Sequence, residues 1–275
     1  MGIIKAFNSS FKSVKDEQWK DVFMCESLGT EILVARGLKH ASERSTNTNS
    51  NDGKITHGSL VIVADGQNAL VVKSGKIISA FTEPGEYRYE EPDYKGFVHS
   101  FAKDLAERIS FGGLDVNPDM SRVYFVNMME SYDNRFQTSR PIPVKINKQS
   151  IGLDLDTGLM VEGTFSFRIT DSVLFYSTIS GNVPGFQRRQ PVAEHIRTLV
   201  LKTLIQGTEI LSRIQMEPSE LPLYSAPLSE YILKNVNDAW CSEHGLLVTG
   251  ISISSLSITD MDIITRLGRD ATFRM

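Results

Sequence analysis

Residues 58–89 read GSLVIVADGQNALVVKSGKIISAFTEPGEYRY, and this stretch decides the fold. Leu60–Ala64 and Ala69–Val72 are short apolar runs of strand length, and Lys76–Phe81 is a third that returns after Ser74-Gly75. Two small turn-forming residues between strand-like runs predict a tight β-hairpin. Glu83-Pro84-Gly85-Glu86 predicts a second turn, after which Tyr87 and Tyr89 fall on alternate positions of a further strand. Strand signals dominate here.

Working outward, Val123–Val126 is strand-like, and Phe101–Phe111 has the spacing of a short helix closed by Gly112-Gly113. Glu43–Lys54, ERSTNTNSNDGK, carries no apolar residue and reads as a mobile loop between strands. The clearest alternation follows residue 158, where Val161, Phe165, Phe167 and Ile169 share one parity against Ser166 and Arg168. That is a strand with one dry and one wet face. Pro141 and Pro143 place Arg140–Ile146 at a sheet edge.

The last third changes period. Val192, Ile196, Leu199, Val200, Leu204 and Ile205 recur at helical spacing, with Pro191 near the first turn and Gly207 as the expected end. A second helix runs through Leu228, Tyr231, Ile232, Val236, Ala239 and Trp240 to a stop at Gly245. Residues 246–258, LLVTGISISSLSI, return to strand, and the apolar parity switches between Ile253 and Leu256, which predicts a bulge. The expected fold class is therefore α+β, mainly antiparallel strands in two halves with packed helices. Its expected divisions are an N-terminal helix over 1–25, a first half over 26–140, a second over 141–260, and the start of a C-terminal helix over 261–275.

The beginning of the chain differs from the rest. Ile3, Ile4, Phe7, Phe11 and Val14 form one apolar stripe at helical steps, with Lys5, Lys12 and Lys15 among them and no acidic residue before Asp16. Such a helix can lie in a membrane interface, with Phe and Ile in the acyl boundary and Lys on anionic headgroups, or it can pack on protein. Ile3, Ile4, Lys5, Phe7, Phe11, Lys12 and Lys15 are thus the expected membrane- or partner-contact residues. The stripe extends toward Trp19, Val22 and Phe23, which have the character of core. Ala6 stands where a myristoylation signal needs Ser or Thr.

Composition narrows the classes further. Hydrophobic residues are 41% of the 275 and charged ones 23%, enough apolar material for a folded core. A net charge of −4 argues against a nucleic-acid partner, which calls for a basic face. No apolar run reaches the length that spans a bilayer, and MGIIKAFNSS lacks the features of a secretory signal. Two distant cysteines, Cys25 and Cys241, fit a reducing cytoplasm better than a disulfide scaffold.

A search for chemistry finds fragments. Asp154–Gly158 is DLDTG, and Asp-Thr-Gly is the aspartic-peptidase tripeptide, a chemistry that needs two carboxylates sharing a proton. Asp156 would be its centre, with a second copy of the chain supplying the other carboxylate. The position between two strand-like runs predicts a hairpin turn instead. Cys241 and His244 make half a zinc site with no completing pair, and the five histidines include no H-E-x-x-H. Phosphate-binding and nucleophile-elbow motifs are missing from the sequence, and Arg188-Arg189 reads as a solvated basic pair. No catalytic, cofactor-binding or metal-binding residue is assigned, and no enzyme activity is expected.

The order of these structural motifs resembles the SPFH, or Band 7, domain of stomatins, prohibitins and flotillins. The resemblance rests on Leu60–Ala64, the Asp65-Gly66-Gln67 turn, the hairpin at Gly75 and Pro84-Gly85-Glu86-Tyr87. It continues through residues 158–179, GLMVEGTFSFRITDSVLFYSTI, and through Leu221–Gly245 with the closing strand, covering about residues 26–260. Met1–Phe7, Glu17-Gln18-Trp19-Lys20 and Cys25 are similar to a soluble bacterial branch, the SPFH domain-containing "virion core protein"-like proteins. Several of that branch carry a C-terminal helical region and a zinc ribbon. Here Asp262–Arg269 begins to look helical and neither element follows, which leaves a short member or a removed tail. If assembly depends on that tail, the chain is expected to be monomeric or weakly associated.

The resemblance implies a non-catalytic scaffold without cofactors that self-associates as a homo-oligomer. It would act in the cytoplasm at or near the inner face of the cell membrane. The implied setting is envelope stress response or membrane remodelling, with membrane lipid and phage-shock-type membrane proteins as partners. The residues leave two other readings open, a soluble protein-binding adaptor and the Asp-Thr-Gly peptidase.

Overall fold

The Ser74-Gly75 turn stands where the sequence placed it. In the computed structural model, which describes residues 21–40, 54–90, 121–148, 153–181, 185–213 and 218–259, both turn residues have positive φ, 49° and 78°. That is the backbone twist a two-residue hairpin needs. It joins β5 (Gln67–Lys73) to β6 (Lys76–Phe81), with Lys73 paired to Lys76 across it.

By internal packing the chain divides into two units: Met1–Ser27 with Ala35–Val126, and Leu28–Val34 with Asn127–Met275. The passage falls at residue 126, not near 140, because β9 (Ser131–Gln137) pairs with the second unit's longest strand.

In the first unit, β1 (Val22–Met24), β3 (Leu38–His40), β4 (Leu60–Val63) and β7 (Gly85–Arg88) form a sheet ordered β3-β1-β4-β7. All pairs are antiparallel except β1 with β4. The β5–β6 hairpin lies beside β8 (Ser121–Asn127), and β2 (Ile32–Arg36) falls between β1 and β3 in the chain. Phe23, Val61, Leu70, Val71, Val123 and Phe125 are wholly buried. The Asp65-Gly66 turn sets Gln67 so that its Nε2 donates to the Cys25 carbonyl at 3.3 Å, which ties the turn to the end of β1. Lys39 Nζ lies 2.7 Å from Asp21 Oδ1, both largely buried. The predicted helix over 1–25 lies outside the described residues as far as residue 20. Beyond it Val22–Met24 are strand, so the helix does not reach residue 25, although Val22 and Phe23 are core as expected.

The second unit is built on β11 (Leu153–Ile169). Along one side of it runs β13 (Leu246–Ile258); along the other, β10 (Ile142–Lys148) and β9 follow one another. Leu159, Val161, Phe165 and Phe167 give β11 a fully buried face, while Glu162 and Arg168 are exposed. Three helices accompany this core. α1 (Ser172–Phe175) is capped by Asp171, whose Oδ1 accepts from Val173 and Leu174 N–H at 2.9 Å each, and it continues into a π-turn over Tyr176–Ser180. After β12 (Phe186–Arg188) comes α2 (Arg189–Arg213), which lies against β9 and β10 through Ile196, Val200 and Leu204. A 3-10 turn over Pro218–Tyr224 leads to α3 (Ser225–Val236), which lies against β13. A π-turn (Asn237–Cys241) and a 3-10 turn (Ser242–His244) follow, and Gly245 at φ 69° ends the helical run as predicted.

Asp154–Gly158 is not a turn: it lies inside β11 and pairs residue by residue with Lys148–Ile142 region partners, from Asp154↔Asn147 to Gly158↔Pro143. Continuous ladder bonding outweighs the local turn preference of Asp, Thr and Gly. Gly207 does not end α2, which runs six residues further, because the glycine sits where α2 meets Leu228 and Tyr231. The helix through Trp240 is regular only to Val236 before it widens into the π-turn. The expected loop at 43–54, apart from Lys54, and the expected helix at 101–111 lie outside the described residues, as does the C-terminal helix at 261–275.

Candidate functional site

The densest polar constellation among the described residues is centred on Arg189 at the start of α2. Its backbone N–H donates to the Glu31 carbonyl at 2.9 Å. Its Nη2 donates to Glu31 Oε1 at 2.8 Å, and its Nη1 to Asn134 Oδ1 at 2.8 Å and Ser131 Oγ at 3.3 Å. Asn134 in turn donates from Nδ2 to the carbonyls of Ser131 and Phe165, both at 3.1 Å. One guanidinium therefore fastens residue 31, β9 and the head of α2 together. A cation at a helix N-terminus is opposed by the macrodipole, and the Glu31 carboxylate offsets that penalty.

The same corner exposes apolar surface. Asp133 has φ 55°, and two residues of β9, Tyr132 and Asp133, stand opposite Ser166 alone on β11. This bulge turns both outward. Tyr132 is 57% exposed, Met129 60% and Phe186 47%. The Arg188 guanidinium sits 5.1 Å from the Phe186 ring centre, a cation–π distance. Large apolar side chains held outward by a braced corner suit contact with another molecule.

Ile3, Ile4, Lys5, Phe7, Phe11, Lys12 and Lys15 lie outside the described residues. Asp156 is on an exposed strand position, with its Oδ1 4.0 Å from Lys145 Nζ. An exposed carboxylate beside a lysine is not the shared-proton pair of a peptidase. Cys241 is buried, and that burial pushes its thiol up to about 12. His244 Nδ1 lies 2.9 Å from the Trp240 carbonyl, and Trp240 is flanked by the His244 ring at 4.5 Å and the His195 ring at 4.4 Å. Among the described residues no three His, Cys, Asp or Glu side chains are grouped to hold a metal. Burial also raises the Cys25 thiol, against an opposing hydrogen bond from the Ser27 backbone.

Arg189 is the residue the sequence reading missed. The pair Arg188-Arg189 reads as solvated in the sequence, but only Arg188 is exposed. The signal available was an arginine placed directly before a helix, where its charge calls for a carboxylate partner.

The profile described as "SPFH domain-Band 7 family" matches residues 47–273. The chain is also similar to the uncharacterized protein YdjI of Bacillus subtilis (strain 168), with 24% identity over 225 residues. That alignment takes in 78% of this chain and 62% of YdjI, so the matched stretch spans less than two thirds of that relative. No helix among the described residues is long and apolar enough to cross a membrane.

Proposed function

The chain belongs to the SPFH domain-Band 7 family, and from that premise we propose that it is a non-enzymatic scaffold which self-associates at the inner face of the cell membrane. The observation that carries this reading is the family match across residues 47–273. The basic apolar residues ahead of that match give the scaffold a means of reaching lipid. Phe7 and Phe11 enter the acyl boundary, and Lys5, Lys12 and Lys15 meet anionic headgroups. The finer reading is a member of the "virion core protein"-like branch, acting in envelope stress or membrane remodelling beside a phage-shock-type membrane protein. The residues similar to that branch, Glu17-Gln18-Trp19-Lys20 and Cys25, support it.

Co-sedimentation with anionic vesicles tests the membrane part. The wild type is expected to pellet with the vesicles, and the Phe7→Asp plus Phe11→Asp variant to stay in the supernatant. Equal pelleting of both would remove the N-terminal stripe from the account, and no pelleting of the wild type would remove the membrane. A second reading, a protein-binding adaptor, draws on the outward Met129, Tyr132 and Phe186. Capture of a protein partner that depends on those side chains, without vesicle binding, would favour it.

A further inference from the structure

The outermost strand of the second unit's sheet, β13, has one edge on β11, and no strand among the described residues pairs with the other. The backbone groups on that open edge can be identified. Phe165 O accepts from Asn134, and Val161 exchanges bonds with Thr138 through both its N–H and its carbonyl, so these odd-numbered residues of β11 point away from β13. Their opposites across an antiparallel ladder are non-hydrogen-bonded positions and point away from β11 in turn. Leu159, Val161, Gly163 and Phe165 face Ile258, Leu256, Ile253 and Ile251. Those four residues therefore turn their N–H and C=O groups outward, where no described residue bonds to them. Val248, the next outward residue, is closed off: its N–H donates to Asn237 Oδ1 at 2.8 Å and its carbonyl accepts from Asn237 Nδ2 at 3.0 Å. A side-chain amide thus stands in for a neighbouring strand at one end, and no described residue does so along 251–258.

The bulge between Ile253 and Leu256 gives this edge a particular spacing. Outward groups fall at 251, 253, 256 and 258, steps of two, three and two residues, which read the same from either end. We infer that residues 251–258 are a strand-addition site for a second copy of this chain, paired antiparallel about a two-fold axis. In that register Ile251 faces the partner copy's residue 258, and Ile253 its residue 256, so each outward donor meets an acceptor. The strand carries no charged residue from Leu246 to Thr259, so self-pairing meets none of the like-charge repulsion that ordinarily blunts sheet edges. Ile251, Ile253 and Leu256 are only half-buried, although Val161 and Phe165 on the same face of β11 are 0% and 1% exposed. A second copy extends that apolar face. Leu223, at 74% exposure, belongs to the 3-10 turn over Pro218–Tyr224 that lies against β13 and offers further apolar surface on this flank.

The inference rests on the self-association proposed above and assigns it to one edge. Ser252 and Ser257 are exposed and fall opposite each other across the two-fold register, at a non-hydrogen-bonded pair. Such pairs bring Cα atoms to about 4.5 Å, within disulfide range. The test mixes Ser252→Cys protein with Ser257→Cys protein, both carrying Cys25→Ser, under mild oxidation, and follows wild-type mass by analytical ultracentrifugation. The expected result is a disulfide-linked dimer in the mixture, at least five-fold above either variant alone. Wild-type association without that cross-link overturns the β13 edge and leaves self-association standing. A wild type that stays monomeric over the whole concentration range overturns both.

Discussion

Arg189 shows how one side chain can organise a corner of this protein. Its three side-chain partners, Glu31, Ser131 and Asn134, lie 158, 58 and 55 positions away in sequence. That separation is why Arg188-Arg189 reads as a solvated pair when only neighbours are considered. Arg189→Met is expected to destabilise the fold by about 1–3 kcal/mol, since it strips a charged donor from the buried Asn134 and Ser131. Glu31 is 62% exposed, so its share of that loss is small. Urea unfolding measures it: the midpoint should fall with little change in slope, and an unchanged midpoint would show that the network contributes nothing. Asp156 is the opposite case. A tripeptide associated with catalysis sits in plain view, yet its surroundings are an exposed strand and a lysine.

Among the elements, hairpins and period changes are legible because their causes are local. The turn at Ser74-Gly75, the strand Lys76–Phe81, the edge position of β10, the stop at Gly245 and the bulge between Ile253 and Leu256 all follow from a few adjacent residues. What fails are the places where packing overrides a local signal. Asp154–Gly158 has turn composition, but β10 supplies a pairing partner at every step. Gly207 looks like a helix terminator, but a Cβ there would meet Leu228 Cδ1 at 2.5 Å and Tyr231 Cδ1 at 3.2 Å. The glycine is what lets α2 and α3 approach. Gly207→Val is accordingly expected to cost about 1–3 kcal/mol through overpacking, despite the helix propensity it gains. A thermal midpoint equal to or above the wild type would place the two helices further apart than described.

At the scale of the whole molecule, the length and the net charge of −4 indicate no more than an ordinary folded protein. The order of motifs carries the family: strand, acidic-Gly-Gln turn, hairpin, Pro-Gly-x-Tyr, then helices and a closing strand, matched by the profile over residues 47–273. Residues 28–34 belong with the second unit although they precede most of the first, and no composition change marks that excursion. The candidate site was less legible still, since it joins an exposed apolar corner to residues distant in sequence. The central claim is a scaffold that assembles and does so on membranes. Its most direct test is the molar mass of the wild-type chain, by light scattering or mass photometry, with and without anionic vesicles of phosphatidylglycerol. The account predicts species larger than the 30.7 kDa monomer, growing into larger assemblies when vesicles are present. A mass that stays at the monomer value in both conditions would contradict it.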